Sequence, residues 1–252
     1  MFKINGGNGA IVCDSCSTII KNGIPYSEYK ETSSGYDLCD ECKNSITEVD
    51  NFDRICEILE FNKKDEFYFL QIIQRKKDGN VTDTGNNGYR TIKTYYIYSI
   101  EQLRKKEDKI KELCLKNNAR AYINVNRRNA EEVALSAIQQ YAQLISEGNA
   151  YQGYRVYDSA CGSTRARGYK PLWVVDIDSK DSKYFYKISN IINSCRGAEE
   201  NKVKYIIPTL NGYHLITIGF DVNQFNQKLA IENLDPIDIQ KDNPTLLYYA
   251  KI

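Results

Sequence analysis

Apolar positions along the chain divide it near residue 50. Before that point apolar runs are few; after it they fall into two periods. Alternation or an unbroken apolar run rich in aromatic and β-branched residues predicts strands in EFYFLQIIQ (66–74), YRTIKTYYIYS (89–99) and RAYINVN (120–126). The stretch KKDGNVTDTGNNG (76–88) reads as the loop between the first two. A short helix is expected from about Asn51 to Ile58. A longer, charged one is expected in EQLRKKEDKIKELCLKNN, with Leu103, Ile110 and Leu113 inward. Asn129 can cap a further helix, since Glu132 stands three residues on and Val133, Ala137, Tyr141 and Leu144 then form a stripe that Gly148 ends.

The last eighty residues have the clearest order. PLWVVDID is a strand, SKYFYKISNIINSC a helix, and VKYIIPT and YHLITIGF are strands joined through Asn211-Gly212, a hairpin signal. VNQFNQKLAIE is a helix, PIDIQ a short strand and TLLYYAK a final one. The order β-α-β-β-α-β is that of a ferredoxin-like (RRM-like) split βαβ unit. The fold class is therefore read as α+β, with a small module over 1–48 and a larger domain over 49–252 whose split βαβ core covers about 170–252.

Composition narrows the picture less. A chain of 252 residues, 42% hydrophobic, can bury a sizeable core. Thirty-four basic residues against thirty-three acidic ones predict no partner from global charge, so any nucleic-acid site has to be local. The twenty tyrosines suit sheet positions before any other role. The N-terminus lacks the pattern of a signal peptide, and no run reaches the roughly 18 apolar residues of a membrane helix. The expectation is a soluble, cytoplasmic protein without a membrane partner, its eight cysteines mostly reduced.

Four of those cysteines form two Cys-x-x-Cys pairs, Cys13 with Cys16 and Cys39 with Cys42. Each pair suits two thiolates of one tetrahedral zinc, and two pairs complete the four. A filled tetrahedron leaves no open position, so this zinc is expected to be structural. With so few apolar residues around it, the module should depend on the metal to fold.

WVVDIDSKD sets Asp176 and Asp178 beside an apolar run. On a strand, side chains two apart share a face, with Cα atoms about 7 Å apart. At an effective dielectric of about 20, two such charges repel by about 2.4 kcal/mol. A divalent cation would reverse that sign, and hard oxygens suit magnesium or manganese. The bland alternative is a strand end with Asp178 or Asp181 capping the next helix. Split βαβ topology puts the first and third strands side by side and the fourth against the first. That brings His214, the only histidine, and Asp238 toward the same place.

These residues resemble the archaeo-eukaryotic primase superfamily, in particular its primase-polymerase branch. WVVDID, NGYHLI and PIDI stand in the order of that family's three motifs, and AYINVNRRNAEEVA resembles the strand and Asn-x-Arg segment ahead of them. The resemblance spans about residues 120–252. It implies that Asp176, Asp178 and Asp238 hold catalytic magnesium or manganese, with Asp235 competing for the third place, and that His214 contacts nucleotide phosphates. The implied activity is two-metal nucleotidyl transfer, in a DNA primase or polymerase acting in the replication of a virus or plasmid. The chain departs from the family after the third motif, where QKDNPTLLYY offers Lys241 alone. Candidate contacts to nucleotides or single-stranded nucleic acid are Lys241, Arg127, Arg128 and the loop residues Arg165 and Arg167, with a soluble surface loop as the plain alternative. Two other functions stay open: a non-catalytic protein that binds nucleic acid or a replication partner, and a metal-dependent nuclease.

Overall fold

A computed structural model of the chain describes residues 2–5, 8–13, 18–24, 40–41, 46–78, 88–164 and 170–251. The chain is α+β, and its sheets are antiparallel. At the N-terminus β1 (Phe2–Asn5), β2 (Asn8–Val12) and β3 (Ile19–Ile24) form a three-stranded sheet in that order.

The larger sheet contains β4 (Thr47–Asp50), β5 (Glu66–Arg75), β6 (Tyr89–Ile97), β7 (Arg120–Asn124) and β13 (Pro244–Lys251), in the order β4-β13-β7-β5-β6. The two-residue β8 (Arg128–Asn129) also pairs with β5. β5 lies mid-sheet with both faces covered, which is why its sequence is a continuous apolar run rather than an alternation. Tyr68, Leu70 and Ile72 face helices α1 (Phe52–Ile58) and α2 (Ile100–Lys116). Phe67 and Phe69 face helices α3 (Ala130–Ser146) and α4 (Val156–Ser163).

The second sheet contains β9 (Leu172–Ile177), β10 (Val203–Pro208), β11 (Tyr213–Ile218) and β12 (Asp238–Gln240), in the order β10-β11-β9-β12. With α5 (Ser182–Ser194) after β9 and α6 (Val222–Ile231) after β11, this is the strand order of a split βαβ arrangement. Both helices cover one face, against Val175, Ile177 and Leu215. Val174, Ile207 and Ile216 on the other face join the core of the larger sheet. One continuous apolar mass therefore lies between the two sheets, and the split sheet's inner face ends at its rim.

Capping residues set the helix starts. Asn129, Asp181 and Asp221 accept from the backbone N–H of Glu132, Lys183 and Gln224. Gly148 takes a left-handed φ of 74° just past α3.

Three expectations change. The boundary at residue 48 falls inside β4, which pairs with β13 and so belongs to the larger domain. The split core ends with β12, because β13 joins the larger sheet between β4 and β7. The stretch YRVYDSACGSTRARGYKP (154–171), expected as a loop around Arg165 and Arg167, instead opens on the end of a 3₁₀ turn (Ala150–Arg155) and then forms α4. Val156, Ala160 and Cys161 are buried there, an i, i+4, i+5 spacing too short to stand out among Ser and Gly.

Candidate active site

The site grows out of three neighbouring strands. His214 on β11 pairs with Asp176 on β9, and Asp176 pairs with Asp238 on β12. Side chains at paired positions share a face. Val175, Ile177, Leu215 and Ile239 point to α5 and α6, so Asp176, His214 and Asp238 point the opposite way, toward the larger sheet.

His214 is 9% exposed and held on two sides. Its Nδ1 lies 2.8 Å from Thr245 Oγ1 on β13, and its Nε2 lies 3.4 Å from Asp176 Oδ1. Thr245 is fully buried, so the ring's position depends on the larger sheet as well as on its own strand. The contact with Asp176 is an ion pair only when both ring nitrogens carry protons; in the neutral ring an Nε2–H faces the carboxylate without a charge. Asp176 is about one-third exposed, in the middle of this row between His214 and Asp238. Asp238 is exposed, and Gln240 Nε2 donates to its Oδ2 at 2.6 Å.

The other predicted carboxylates sit elsewhere. Asp178 lies one residue past the end of β9 and is exposed, so strand alternation no longer sets it beside Asp176. Asp235 lies before β12 begins; Asp238 is the aspartate in register with Asp176. Asp181 follows the bland reading, as the cap of α5.

The arginines expected at nucleic acid answer differently. Arg128 is fully buried: its Nε donates to the Cys161 carbonyl at 2.5 Å, and one terminal nitrogen lies 3.2 Å from Asp242 Oδ1. Arg127 is 7% exposed, with a terminal nitrogen 3.4 Å from Glu66. Both are internal cations, each buried beside a carboxylate that offsets the cost of taking its charge out of water. Lys241 is exposed, its ammonium 5.1 Å from the centre of the Trp173 ring. Arg165 and Arg167 lie outside the described residues, as do Cys16, Cys39 and Cys42. Cys13 is buried just past β2, where its N–H donates to the Thr18 carbonyl at 2.8 Å.

A polar network that sequence reasoning did not find ties the site to the larger domain. Asn126 Oδ1 accepts from the Leu172 N–H, and its Nδ2 donates to the Leu172 carbonyl, both at 2.8 Å. The same Nδ2 also donates to Asp242 Oδ1 at 3.0 Å. Asn126 thereby fixes the start of β9 and the link from β12 to β13. Asn51 does the same at the other edge, donating to the Pro208 and Leu246 carbonyls at 2.9 and 3.0 Å. No periodic signal marks such asparagines, since their partners are backbone atoms far away in sequence.

Among the described residues, no group of three or more His, Cys, Asp or Glu side chains is arranged around one ion. The pair Asp176 and Asp238 nevertheless suits a hard cation. Magnesium is commonly held by one or two carboxylates, with waters and substrate phosphates filling the remaining positions. Like charges directly opposed on neighbouring strands also destabilise a sheet unless something offsets them. No helix among the described residues is long and apolar enough to cross a membrane. No protein-family model, curated protein or solved structure matches this chain.

Proposed function

We propose that this protein is a metal-dependent, primase-polymerase-like nucleotidyltransferase acting on nucleic acid, with the split βαβ unit as its catalytic core. The observation that carries the reading is the row His214, Asp176, Asp238 on one face of three adjacent strands. Residues from three separate stretches of sequence meet there, in the order of the family's motifs.

In this reading Asp176 and Asp238 hold magnesium or manganese, and Asp178 is the further carboxylate near the strand end. Ions bound there supply charge balance on the phosphates and acidify an attacking hydroxyl. His214 donates from Nε2 to a nucleotide phosphate. Thr245 keeps the ring from turning by bonding Nδ1. The apolar floor of Val174 and Ile216 backs the row and limits water on that side. Zinc, held by Cys13, Cys16, Cys39 and Cys42, would fold the N-terminal module, which would then be the place for nucleic acid or a replication partner to dock.

Incubating the protein with manganese, labelled nucleotides and single-stranded DNA, with and without a primer, tests the reading. Extension of the strand is expected, and Asp176→Asn should lower it at least 100-fold. Shortening of the DNA would reassign the carboxylates to a nuclease. Binding with no change in length would leave a non-catalytic primase-like fold.

A further inference from the structure

α3 is apolar on two sides, and among the described residues only one side is covered. Val133 is buried and Ala137 packs with it against β5 and α4. On the outer side Leu135 is 56% exposed, Ile138 65% and Ile145 55%, with Ala142 exposed between them. A helix apolar on both faces is ordinarily buried on both. Tyr141, expected to point inward, instead lies 43% exposed over the backbone of Gly153, where a Cβ would stand 1.9 Å from its ring. That contact seats the 3₁₀ turn beside the helix, and Tyr151 and Tyr154 on the turn are 75% and 78% exposed.

Charge decides what kind of partner suits this face. From Val133 to the end of α3 no residue is charged, and the turn beyond it adds only Glu147 ahead of it and Arg155 at its close, over the Tyr154 ring, although 27% of the whole sequence is charged. Nucleic acid requires Lys or Arg for its phosphates, and an interfacial membrane helix carries them on its polar flank. α3 beyond Val133 has none, and the turn supplies a single one, Arg155. An uncharged surface can meet its own copy without like-charge repulsion.

The spacing of the stripe points to that copy. Positions 135, 138, 142 and 145 are separated by 3, 4 and 3 residues, a pattern that reads the same in both directions. A two-fold axis crossing α3 near residue 140 maps the stripe onto itself with the helices antiparallel. Leu135 then faces Ile145 of the second copy, and Ile138 faces Ala142, large against small, as interdigitating layers require. Two-fold dimers are built this way, residue i meeting j and j meeting i. The exposed apolar and tyrosine surface of α3 and its turn is on the order of 600 Å² per copy, near the roughly 800 Å² per partner of a standard interface. We infer that the outer face of α3 is a homodimer interface, formed by antiparallel pairing of α3 about a two-fold axis near residue 140.

Sedimentation equilibrium of the full chain at about 1–100 µM, which covers the weak end of the µM-to-pM range of such interfaces, tests this, with circular dichroism to verify folding. The wild type should be a dimer. Leu135→Glu and Ile145→Lys should each shift the dissociation constant at least tenfold toward monomer, with unchanged spectra, since both positions are more than half exposed. The double variant should recover the dimer, because antiparallel pairing opposes position 135 to position 145 while ten residues separate them in one helix. A monomeric wild type at the highest concentration overturns the inference, and so does a dimer indifferent to both single variants. Failure of the double variant to recover rejects the antiparallel axis. If a variant loses its helical spectrum, Ile138→Ser, which adds no charge, serves in its place, and a dimer as tight as wild type then counts against the interface.

Discussion

At the scale of single residues, His214 is the clearest case of a side chain whose neighbours define its task. Thr245 and Asp176 each take one ring nitrogen, so the imidazole cannot rotate without breaking a contact. Thr245→Val keeps the shape and removes the hydroxyl. It should cost about 1–3 kcal/mol in a denaturant titration, the cost of leaving a buried ring nitrogen unpaired, and should weaken nucleotide binding while sparing metal binding. Equal stability of the variant would show that the bond is not made in solution. Arg128 tests the opposite assignment. Because it is fully buried against the Cys161 carbonyl and Asp242, Arg128→Ala should destabilise by about 3–5 kcal/mol. An alanine variant of full stability with weakened, less salt-dependent DNA binding would return Arg128 to the nucleic-acid surface.

At the scale of elements, the site depends on where strands end. Gly212 closes the β10–β11 hairpin against the end of β9, where an added Cβ would stand 1.8 Å from the Ile177 carbonyl oxygen. Its role there is room for a neighbouring backbone. Gly212→Ala should therefore push β9 and the hairpin apart, costing on the order of 1–3 kcal/mol in thermal or denaturant unfolding and disturbing the Asp176–His214 register. A variant as stable as wild type would mean that the hairpin stands off from β9. Most elements were legible in the sequence. β5, β9 and β11 announce themselves as apolar runs, α5 and α6 as amphipathic stripes, and α3 by its Asn129 cap, although Tyr141 of its expected stripe lies exposed. What was not legible depends on partners distant in the chain. β13 leaves the split sheet because β4 and β7 offer it both edges, and nothing in TLLYYAK says which sheet it joins. Arg127 and Arg128 read as surface cations because acceptors at Glu66, Cys161 and Asp242 cannot be foreseen from their own segment. Asp176 and His214 could be brought together in advance only because strand topology sets the register, whereas Asp178 fell outside that logic by one residue.

At the scale of the whole molecule, the shared core between the sheets couples the site to global stability. Burial pushes the thiols of Cys114 and Cys161 up to about 12, and the Tyr68 phenol to about 12. All three folded values lie above the unfolded ones, so the stabilisation is complete at neutral pH. It declines once the unfolded chain begins to lose these protons, near pH 9, and is gone near pH 12. The thermal midpoint at pH 10.5 should lie on the order of 10 °C below that at pH 7.5. An unchanged midpoint would show that these groups are hydrated in the folded state. The central claim is that Asp176, Asp238 and His214 are one site for a divalent cation and a nucleotide, and manganese binding followed by electron paramagnetic resonance tests it most directly. With a nucleoside triphosphate present, wild-type protein should bind manganese. Asp176→Asn and Asp238→Asn should each weaken that binding at least tenfold while shifting stability by no more than about 0.5 kcal/mol, since each removes one of two opposed charges. His214→Ala should keep the metal and lose nucleotide affinity. Manganese bound equally by wild type and both aspartate variants, or by none of them, would contradict the account.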